Sequence, residues 1–241
     1  MHSSARHHHD PTGEAAARET KGLVMNEGWR YDLKEWVHDT FSSRGMFRKL
    51  RQRTVELGDI RPGEQVLDVG CGTGTLALAA ARRVGHAGRV IGLDPGEQQI
   101  ARASAKAARR HLPATFQVGV IEQLPFPAQT FDVVFSSLMM HHLPASLKRQ
   151  GLAEIARVLK PGGRVVIVDF THKQDRQEQA ARFHAGGSRM HDLADLLTEA
   201  GFGQMTTEEL QSARPSSFPG AGFIRACKNV DQKETAANVR D

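Results

Sequence analysis

The chain has 241 residues, of which 39% are apolar, and this is enough for the core of one α/β domain. Its 32 basic and 27 acidic residues leave a formal charge of +5, which favours anionic partners only mildly. No run approaches the ~18 apolar residues of a membrane span, and the 2 cysteines do not make a disulfide framework. We therefore expect a cytoplasmic protein. Its positive charge is compatible with peripheral contact with a membrane.

The two ends of the chain are polar. Residues 1–22 are predicted to form a disordered N-terminal tail, and residues 231–241 a flexible C-terminal tail. Between them, residues 23–230 are predicted to form a single domain. Its first part, residues 23–60, is expected to be a helical cap, because apolar residues recur there near helical spacing.

From residue 65 onward, apolar β-like runs alternate with helical patterns. The predicted strands cover 65–69, 89–93, 115–120, 131–136 and 165–169, and the predicted helices cover 75–84, 97–110, 145–159 and 190–200. Such alternation predicts a parallel sheet covered by helices on both faces. Residues 204–210 and 222–227 suit a closing β-hairpin, in which one strand must run antiparallel to its mate. The expected α/β fold thus has a seven-stranded, mostly parallel sheet with one antiparallel strand.

The first predicted strand ends in an acid, Asp68, and three alternating glycines follow at Gly70, Gly72 and Gly74. Glycine lets the backbone turn sharply and approach a ligand with no Cβ in the way. A helix that begins just after the turn offers unpaired N–H groups and a partial positive charge. The sequence therefore predicts a small-ligand site at the carboxyl end of a buried strand. A dinucleotide-binding turn would have its third glycine at position 75, where this chain has Thr75.

A second acid ends the second predicted strand. Asp94 lies 20 residues beyond Gly74, close to the ~20 expected for a carboxylate that holds a ribose. Its two oxygens can accept hydrogen bonds from both ribose hydroxyls. The same residue could instead be a helix N-cap or a turn residue. A nicotinamide-dependent dehydrogenase would carry this acid too, so Asp94 does not argue against that class of enzyme. Thr75 and the terminal hairpin do argue against it.

These motifs resemble those of the class I S-adenosylmethionine (SAM)-dependent methyltransferases. From Tyr31 to Lys228 the chain resembles the ubiquinone/menaquinone-biosynthesis C-methyltransferase group. The further landmarks are Leu124-Pro125-Phe126, Phe131-Asp132-Val133-Val134, His141-His142, Arg157-Val158-Leu159-Lys160-Pro161-Gly162-Gly163 and Glu199-Ala200-Gly201-Phe202. The resemblance implies a Rossmann-like class I methyltransferase fold, with SAM as cofactor and S-adenosylhomocysteine as product.

The resemblance also implies a role for individual residues around SAM. The methionine part would be surrounded by Asp68, Gly70, Cys71, Gly72 and Gly74. The ribose would be held by Asp94, the adenine would lie beside Pro95, and the floor near the sulfonium would include Ser136. Tyr31 would cover the cofactor from the N-terminal helix, or else serve simple packing.

One departure from the family pattern concerns the adenine. Family members usually carry Gly-Asp-Ala after the third strand, where the Asp holds the adenine amino group. Here Gly119 is followed by Val120 and Ile121. Adenine recognition would then come from backbone groups, from Glu122 or from apolar stacking.

A methyl group on a sulfonium is already activated, so the protein has chiefly to align an acceptor and exclude water. A base is needed only where the acceptor must lose a proton. His141 and His142, just beyond the fourth strand, are placed for that catalytic role, and one of them at most is expected to face the acceptor. The alternative is a loop histidine that caps the helix starting near Pro144. Neither histidine has a ligand-spaced partner, so no metal site is expected.

Acceptor specificity would come from the N-terminal helices and from residues 171–189, which suit either a mobile lid or an ordinary loop. The residues that would line an apolar acceptor pocket, or else belong to the core, are Phe41, Met46, Phe47, Met139, Met140 and Phe183. The predicted function is SAM-dependent methyl transfer to a C, O or N atom of a small-molecule acceptor of apolar or aromatic character, by a monomer or homodimer. The alternatives are an RNA ribose or base methyltransferase, although nucleic acid is disfavoured, and a non-catalytic SAM-binding module.

Overall fold

The computed structural model describes residues 44–171, 190–210 and 220–230. Both predicted tails, the first part of the cap with Tyr31 and Phe41, and the predicted lid from residue 172 to residue 189 with Phe183 lie outside the described residues. In chain order the elements are α1 (Arg44–Leu57), β1 (Gln65–Val69), α2 (Thr75–Val84), β2 (Arg89–Asp94), α3 (Glu97–Arg110), β3 (Ala114–Val118), β4 (Phe131–Ser137), a 3-10 turn (Met140–His142), α4 (Ala145–Val158), β5 (Leu159–Thr171), α5 (Met190–Glu199), β6 (Phe202–Leu210) and β7 (Gly220–Lys228).

The strands form one seven-stranded sheet in the order β3-β2-β1-β4-β5-β7-β6. Strands β1 to β5 pair in parallel, and β7 runs antiparallel to both β5 and β6. The predicted fold class is therefore confirmed, including the single antiparallel strand. The chain builds outward from β1 to β3 and then returns to place β4 on the other side of β1. This reversal leaves a crevice outside the carboxyl ends of β1 and β4, where open α/β sheets bind ligands.

Helices cover both faces of the sheet. On one face α2 packs its small side chains against β1 and β4, with a cluster that includes Ala77, Ala80, Val84, Val66 and Phe135. On the other face α4 and α5 pack on the central strands, with a cluster that includes Leu152, Ile155, Leu197, Leu67 and Ile167. The central strands β1, β4 and β5 are mostly apolar because they are buried on both faces. No helix among the described residues is long and apolar enough to cross a bilayer.

Several predicted boundaries differ from the structure, among them those of the third and fifth strands. The third strand ends at Val118 rather than at residue 120, so Val120 lies in the loop that follows. The fifth strand begins at Leu159, earlier than predicted, because the chain becomes extended as soon as α4 ends. Phe131 pairs with Leu159 and Val133 with Arg164, so residues 160–163 bulge out of the ladder, as expected where proline and glycine interrupt a strand.

A buried arginine joins the end of α1 to the sheet. Arg164 of β5 is 8% exposed, and its guanidinium donates to the carbonyl oxygens of Gly58 and Asp59 and to the Glu64 carboxylate. These bonds satisfy most of its donors and fix the loop that leads into β1. The segment that leads into β1 is thereby tied to β5.

Candidate cofactor and acceptor site

The loop of residues 70–74 turns the chain from β1 into α2. Gly70, Gly72 and Gly74 have φ angles of 72°, 50° and 76°, in the left-handed region that favours glycine. A Cβ at Gly70 would lie 2.6 Å from Met139 Cγ, and one at Gly74 would lie 2.7 Å from the Phe116 ring. A Cβ at Gly72 would meet nothing within 4 Å. Gly72 therefore faces open space, which is the direction from which a ligand can approach.

Asp94 binds this loop to the end of β2. Its Oδ2 accepts from the Gly72 N–H at 2.8 Å, and its Oδ1 accepts from the Gly96 N–H at 2.9 Å. The second bond is the turn role that the sequence also allowed. Burial raises the pKa of the Asp94 carboxyl, and the two hydrogen bonds oppose that rise. Each oxygen keeps a further lone pair, so the carboxylate can still accept from hydroxyl groups of a ligand.

Asp68 is the most deeply buried acid of the site. It is 1% exposed, and neither carboxyl oxygen has a hydrogen-bond partner among the residues that the structure describes. Burial raises its pKa from 3.8 to about 7, with a further rise from the negative charge of Asp94, while the nearby Ala77 N–H opposes it without reaching hydrogen-bond geometry. A buried carboxyl without a donor is energetically costly, so this position favours a positively charged ligand group.

Asp68 is one of four residues with unpartnered polar atoms at the same edge of the sheet. Within the described ranges, the buried side-chain oxygens without a partner are Asp68 Oδ1 and Oδ2, Gln99 Oε1, Glu122 Oε1 and Ser136 Oγ. Asp68 and Ser136 lie on β1 and β4 near their carboxyl ends, and Gln99 and Glu122 lie just beyond β2 and β3. Because buried polar groups in native proteins nearly always have partners, four unpartnered groups at one edge of the sheet make this edge the candidate site for a polar ligand.

Two of the predicted cofactor residues offer the site only main-chain atoms. The Cys71 thiol is buried against β2, where a Cβ at Gly92 would lie 2.9 Å from its Sγ, and burial raises its pKa. Ile121 is 5% exposed and packs under α4, 2.7 Å from the place of a Cβ at Gly151. Both side chains therefore belong to the core.

Three further predicted residues lie at or beyond the carboxyl ends of β2 and β3. Pro95 and Val120 are half-buried at the ends of β2 and β3. Val120 forms an isolated bridge with Gln123, which turns the loop after β3. Glu122 follows, 6% exposed, with one carboxylate oxygen unpartnered. The loop thus presents a buried acceptor two residues later than the position at which the family usually has its acid.

The histidine pair lies on the short turn after β4. The His141 N–H donates to Asp169 Oδ2 at 2.9 Å, and its Nδ1 lies 2.6 Å from Asp169 Oδ1. Asp169 is 2% exposed at the end of β5 and also accepts from the Phe170 N–H. A carboxylate bonded to Nδ1 places the ring proton there and leaves the lone pair on Nε2. In this tautomer Nε2 is the ring atom of His141 that can accept a proton.

His142 is held differently. Its ring centroid lies 3.8 Å from that of His141, and its pKa is lowered by burial and by His141, an effect that the Asp169 charge opposes. The N-cap of α4 is Pro144, and no side chain caps that helix. The alternative in which a histidine caps α4 is therefore wrong, and only His141 has a carboxylate partner.

Sequence reasoning missed Asp169 and Gln99. Asp169 ends the apolar run of β5 just as Asp68 and Asp94 end theirs, so the same pattern would have identified it.

The residues predicted to line an apolar acceptor pocket lie in different parts of the structure. Met140 is fully buried in the core, and Phe47 packs against the cluster between α1, β5 and β7. Met139 lies over Gly70, and the side chain of Met46 lies outside what the structure describes.

Known methyltransferases resemble this chain over most of its length. Residues 66–163 match the family model of a methyltransferase domain. The chain is 40% identical over 194 residues to the nocamycin O-methyltransferase of Saccharothrix syringae, covering 78% of this chain and 67% of that protein. It is 31% identical over 214 residues to the ubiquinone/menaquinone biosynthesis C-methyltransferase UbiE of Bordetella parapertussis, covering 77% of this chain and 80% of that protein.

Other matches are shorter or concern the fold alone. The chain spans 61% of the length of the Hydrogenovibrio crunogenus UbiE, at 32% identity over 66% of this chain. Among solved structures, geranyl diphosphate methyltransferase in complex with GPP and sinefungin has a TM-score of 0.64 at 18% identity, covering 75% of this chain and 78% of its own. The cyclase SpnF has a TM-score of 0.64 at 22% identity, covering 76% and 80%. Because one such neighbour is a cyclase, the fold does not by itself establish the reaction.

Proposed function

We propose that this chain, which belongs to the class I SAM-dependent methyltransferases in the group similar to the ubiquinone/menaquinone C-methyltransferases, transfers a methyl group from SAM to a small-molecule acceptor. SAM supplies a methyl group on a sulfonium when it is bound. The proposal rests mainly on Asp68, whose two buried oxygens lack a partner beside the glycine loop.

Asp68 distinguishes the two kinds of cofactor that a glycine loop commonly binds. A nicotinamide dinucleotide has its pyrophosphate at such a loop, where the carboxylate of Asp68 would repel it. The methionine part of SAM instead carries an ammonium group, and a buried carboxylate without a donor is its natural partner. The electrostatics of the loop therefore support SAM over a dinucleotide.

The order of the strands suggests an order for the parts of the cofactor. The methionine part would lie at the ends of β1 and β4, with Gly70, Gly72 and Gly74 supplying main-chain contact and Ser136 the floor. Asp94, at the end of β2, would hold the ribose. The adenine would then lie toward β3, beside Pro95 and the loop that contains Val120 and the main chain of Ile121, with Glu122 as an acceptor. We also propose that Cys71 contributes its main chain and that Tyr31 covers the cofactor.

His141 is the candidate base. With its Nδ1 bonded to Asp169, its Nε2 would take the proton of an acceptor hydroxyl or acidic C–H as the acceptor becomes nucleophilic. Asp169 would hold the ring orientation and stabilise the imidazolium that results. We infer an acceptor that loses a proton on methylation. The neighbouring His142, whose ring is tilted against that of His141, would help to exclude water from the acceptor side.

Calorimetry and a transfer assay test these proposals together. The wild-type protein should bind SAM and S-adenosylhomocysteine but not NAD, and Asp94→Asn should weaken binding. We choose Asn because Ala would also break the turn to Gly96. A screen of phenols, quinols and amines should then show methyl transfer that His141→Asn greatly reduces. Binding of NAD but not SAM would refute the proposed function, and tight SAM binding without any transfer would favour a non-catalytic binding module.

A further inference from the structure

Gln99 lies in the first turn of α3, at a position where glutamine often serves the helix itself. A Gln or Glu at the third helical position commonly reaches back to the N–H of the N-cap residue. Here the N-cap is Gly96, and its N–H already donates to Asp94 Oδ1. Gln99 Oε1 is buried and has no partner. The usual structural use of this side chain is therefore absent, and its acceptor is left for something else.

The stem of Gln99 lies beside the proposed ribose site. A Cβ at Gly96 would lie 3.1 Å from Gln99 Cγ and equally 3.1 Å from Asp94 Oδ1. The stem of the side chain therefore folds back over the turn at Gly96, which the Asp94 carboxylate contacts as well. If Asp94 holds the ribose, the methionine part of the cofactor would extend from it toward β1 and β4. The base would then lie on the opposite side of Asp94, where Gln99 is.

We propose that the Gln99 amide recognises the adenine of the cofactor, with Oε1 accepting from the 6-amino group and Nε2 donating to an adjacent ring nitrogen. This inference rests on the proposed function. An amide offers one acceptor and one donor at the spacing of the adenine edge, and glutamine makes this bidentate pair with adenine in nucleic-acid recognition. Residue 120, across the crevice, is a valine and offers no polar side chain.

Glu122 is the rival acceptor for the same amino group, because its Oε1 is also buried and unpartnered. A carboxylate can accept from the amino group but cannot donate to a ring nitrogen when ionised. A base that lacks the 6-amino group therefore separates the two residues. Only replacement of the residue that binds this group should abolish the preference for adenine over unsubstituted purine.

The experiment measures the affinity of S-adenosylhomocysteine and of its analogue with unsubstituted purine in place of adenine, by calorimetry. The wild-type protein should prefer the adenine ligand by about tenfold, as expected when one buried hydrogen bond is lost. Gln99→Leu should abolish this preference, and Gln99→Glu should weaken the binding of both ligands because it removes the donor. Gln98→Leu, a neighbouring exposed glutamine of the same helix turn, is the matched control and should leave the preference unchanged.

Each other outcome has one meaning. A preference that survives in Gln99→Leu, or one that Glu122→Gln abolishes while Gln99→Leu does not, overturns the role of Gln99. Equal wild-type affinity for the two ligands overturns it as well, while the proposed function stands. Failure of the wild-type protein to bind either ligand refutes the proposed function itself, and the role of Gln99 with it.

Discussion

Replacing Asp68 by asparagine should stabilise the ligand-free protein and weaken its binding of SAM. The carboxyl is 1% exposed, and its pKa is raised by burial from 3.8 to about 7. Between these values the folded chain holds a proton that the unfolded chain has released, so stability falls as the pH rises and levels off above about pH 7. A rise of about 3 in pKa corresponds to a loss of about 4 kcal/mol at neutral pH and above.

Asparagine has no charge to bury, so the variant escapes this loss. The stability advantage of Asp68→Asn should grow by about 2 to 3 kcal/mol between pH 5 and pH 8. Its affinity for S-adenosylhomocysteine, whose ammonium loses a charged partner, should fall by about 10- to 100-fold at pH 8, since hydrogen bonds to charged groups contribute about 1.5–3 kcal/mol. At pH 5, where Asp68 is protonated in the ligand-free protein, the two affinities should differ less.

Urea unfolding followed by circular dichroism at pH 5, 6, 7 and 8 measures the first effect, and calorimetry measures the second. Asp195→Asn, which changes an exposed carboxyl on α5, is the control and should show neither. A stability difference between Asp68→Asn and wild type that does not change with pH would refute the assigned burial cost. Unchanged affinity at pH 8 would refute the pairing of Asp68 with the ammonium group.

Three further predictions concern catalysis, the glycine loop and the fold. His141→Asn and Asp169→Asn should each lower kcat by about 10²- to 10⁴-fold in steady-state kinetics. Calorimetry should show little change in the affinity for S-adenosylhomocysteine. A loss of that affinity instead would indicate a structural role for the pair. Gly72→Ala should lower the unfolding free energy by about 1–2 kcal/mol, because the backbone there is left-handed, and should weaken cofactor binding. Gly74→Ala should lower the unfolding free energy further, because its Cβ meets Phe116. Equal stability of the two variants would contradict this packing. Arg164→Met should destabilise the protein by about 3 kcal/mol, because it breaks a largely buried ion pair, and thermal unfolding with a normal midpoint would show that Arg164 is dispensable.

The amino-acid sequence by itself determined the elements, the class of sheet and the positions of the acids that end β1 and β2. These features depend on local patterns: apolar runs, glycine spacing and the stops between them, which act within a few residues. Asp68, Asp94 and the glycines were therefore placed correctly at one edge of the sheet before any tertiary contact was known. The same pattern extends to Asp169, the acid that follows the apolar run of β5.

Only the tertiary structure decided how those side chains are partnered. Asp94 binds the N–H of Gly72, 22 residues away, and Asp169 binds His141, 28 residues away; both pairs exist because adjacent parallel strands bring their carboxyl ends together. The same packing leaves the oxygens of Asp68 and Gln99 without partners. Burial and hydrogen-bond satisfaction depend on strand order and register, which bring together residues distant in the chain, so local patterns do not contain them.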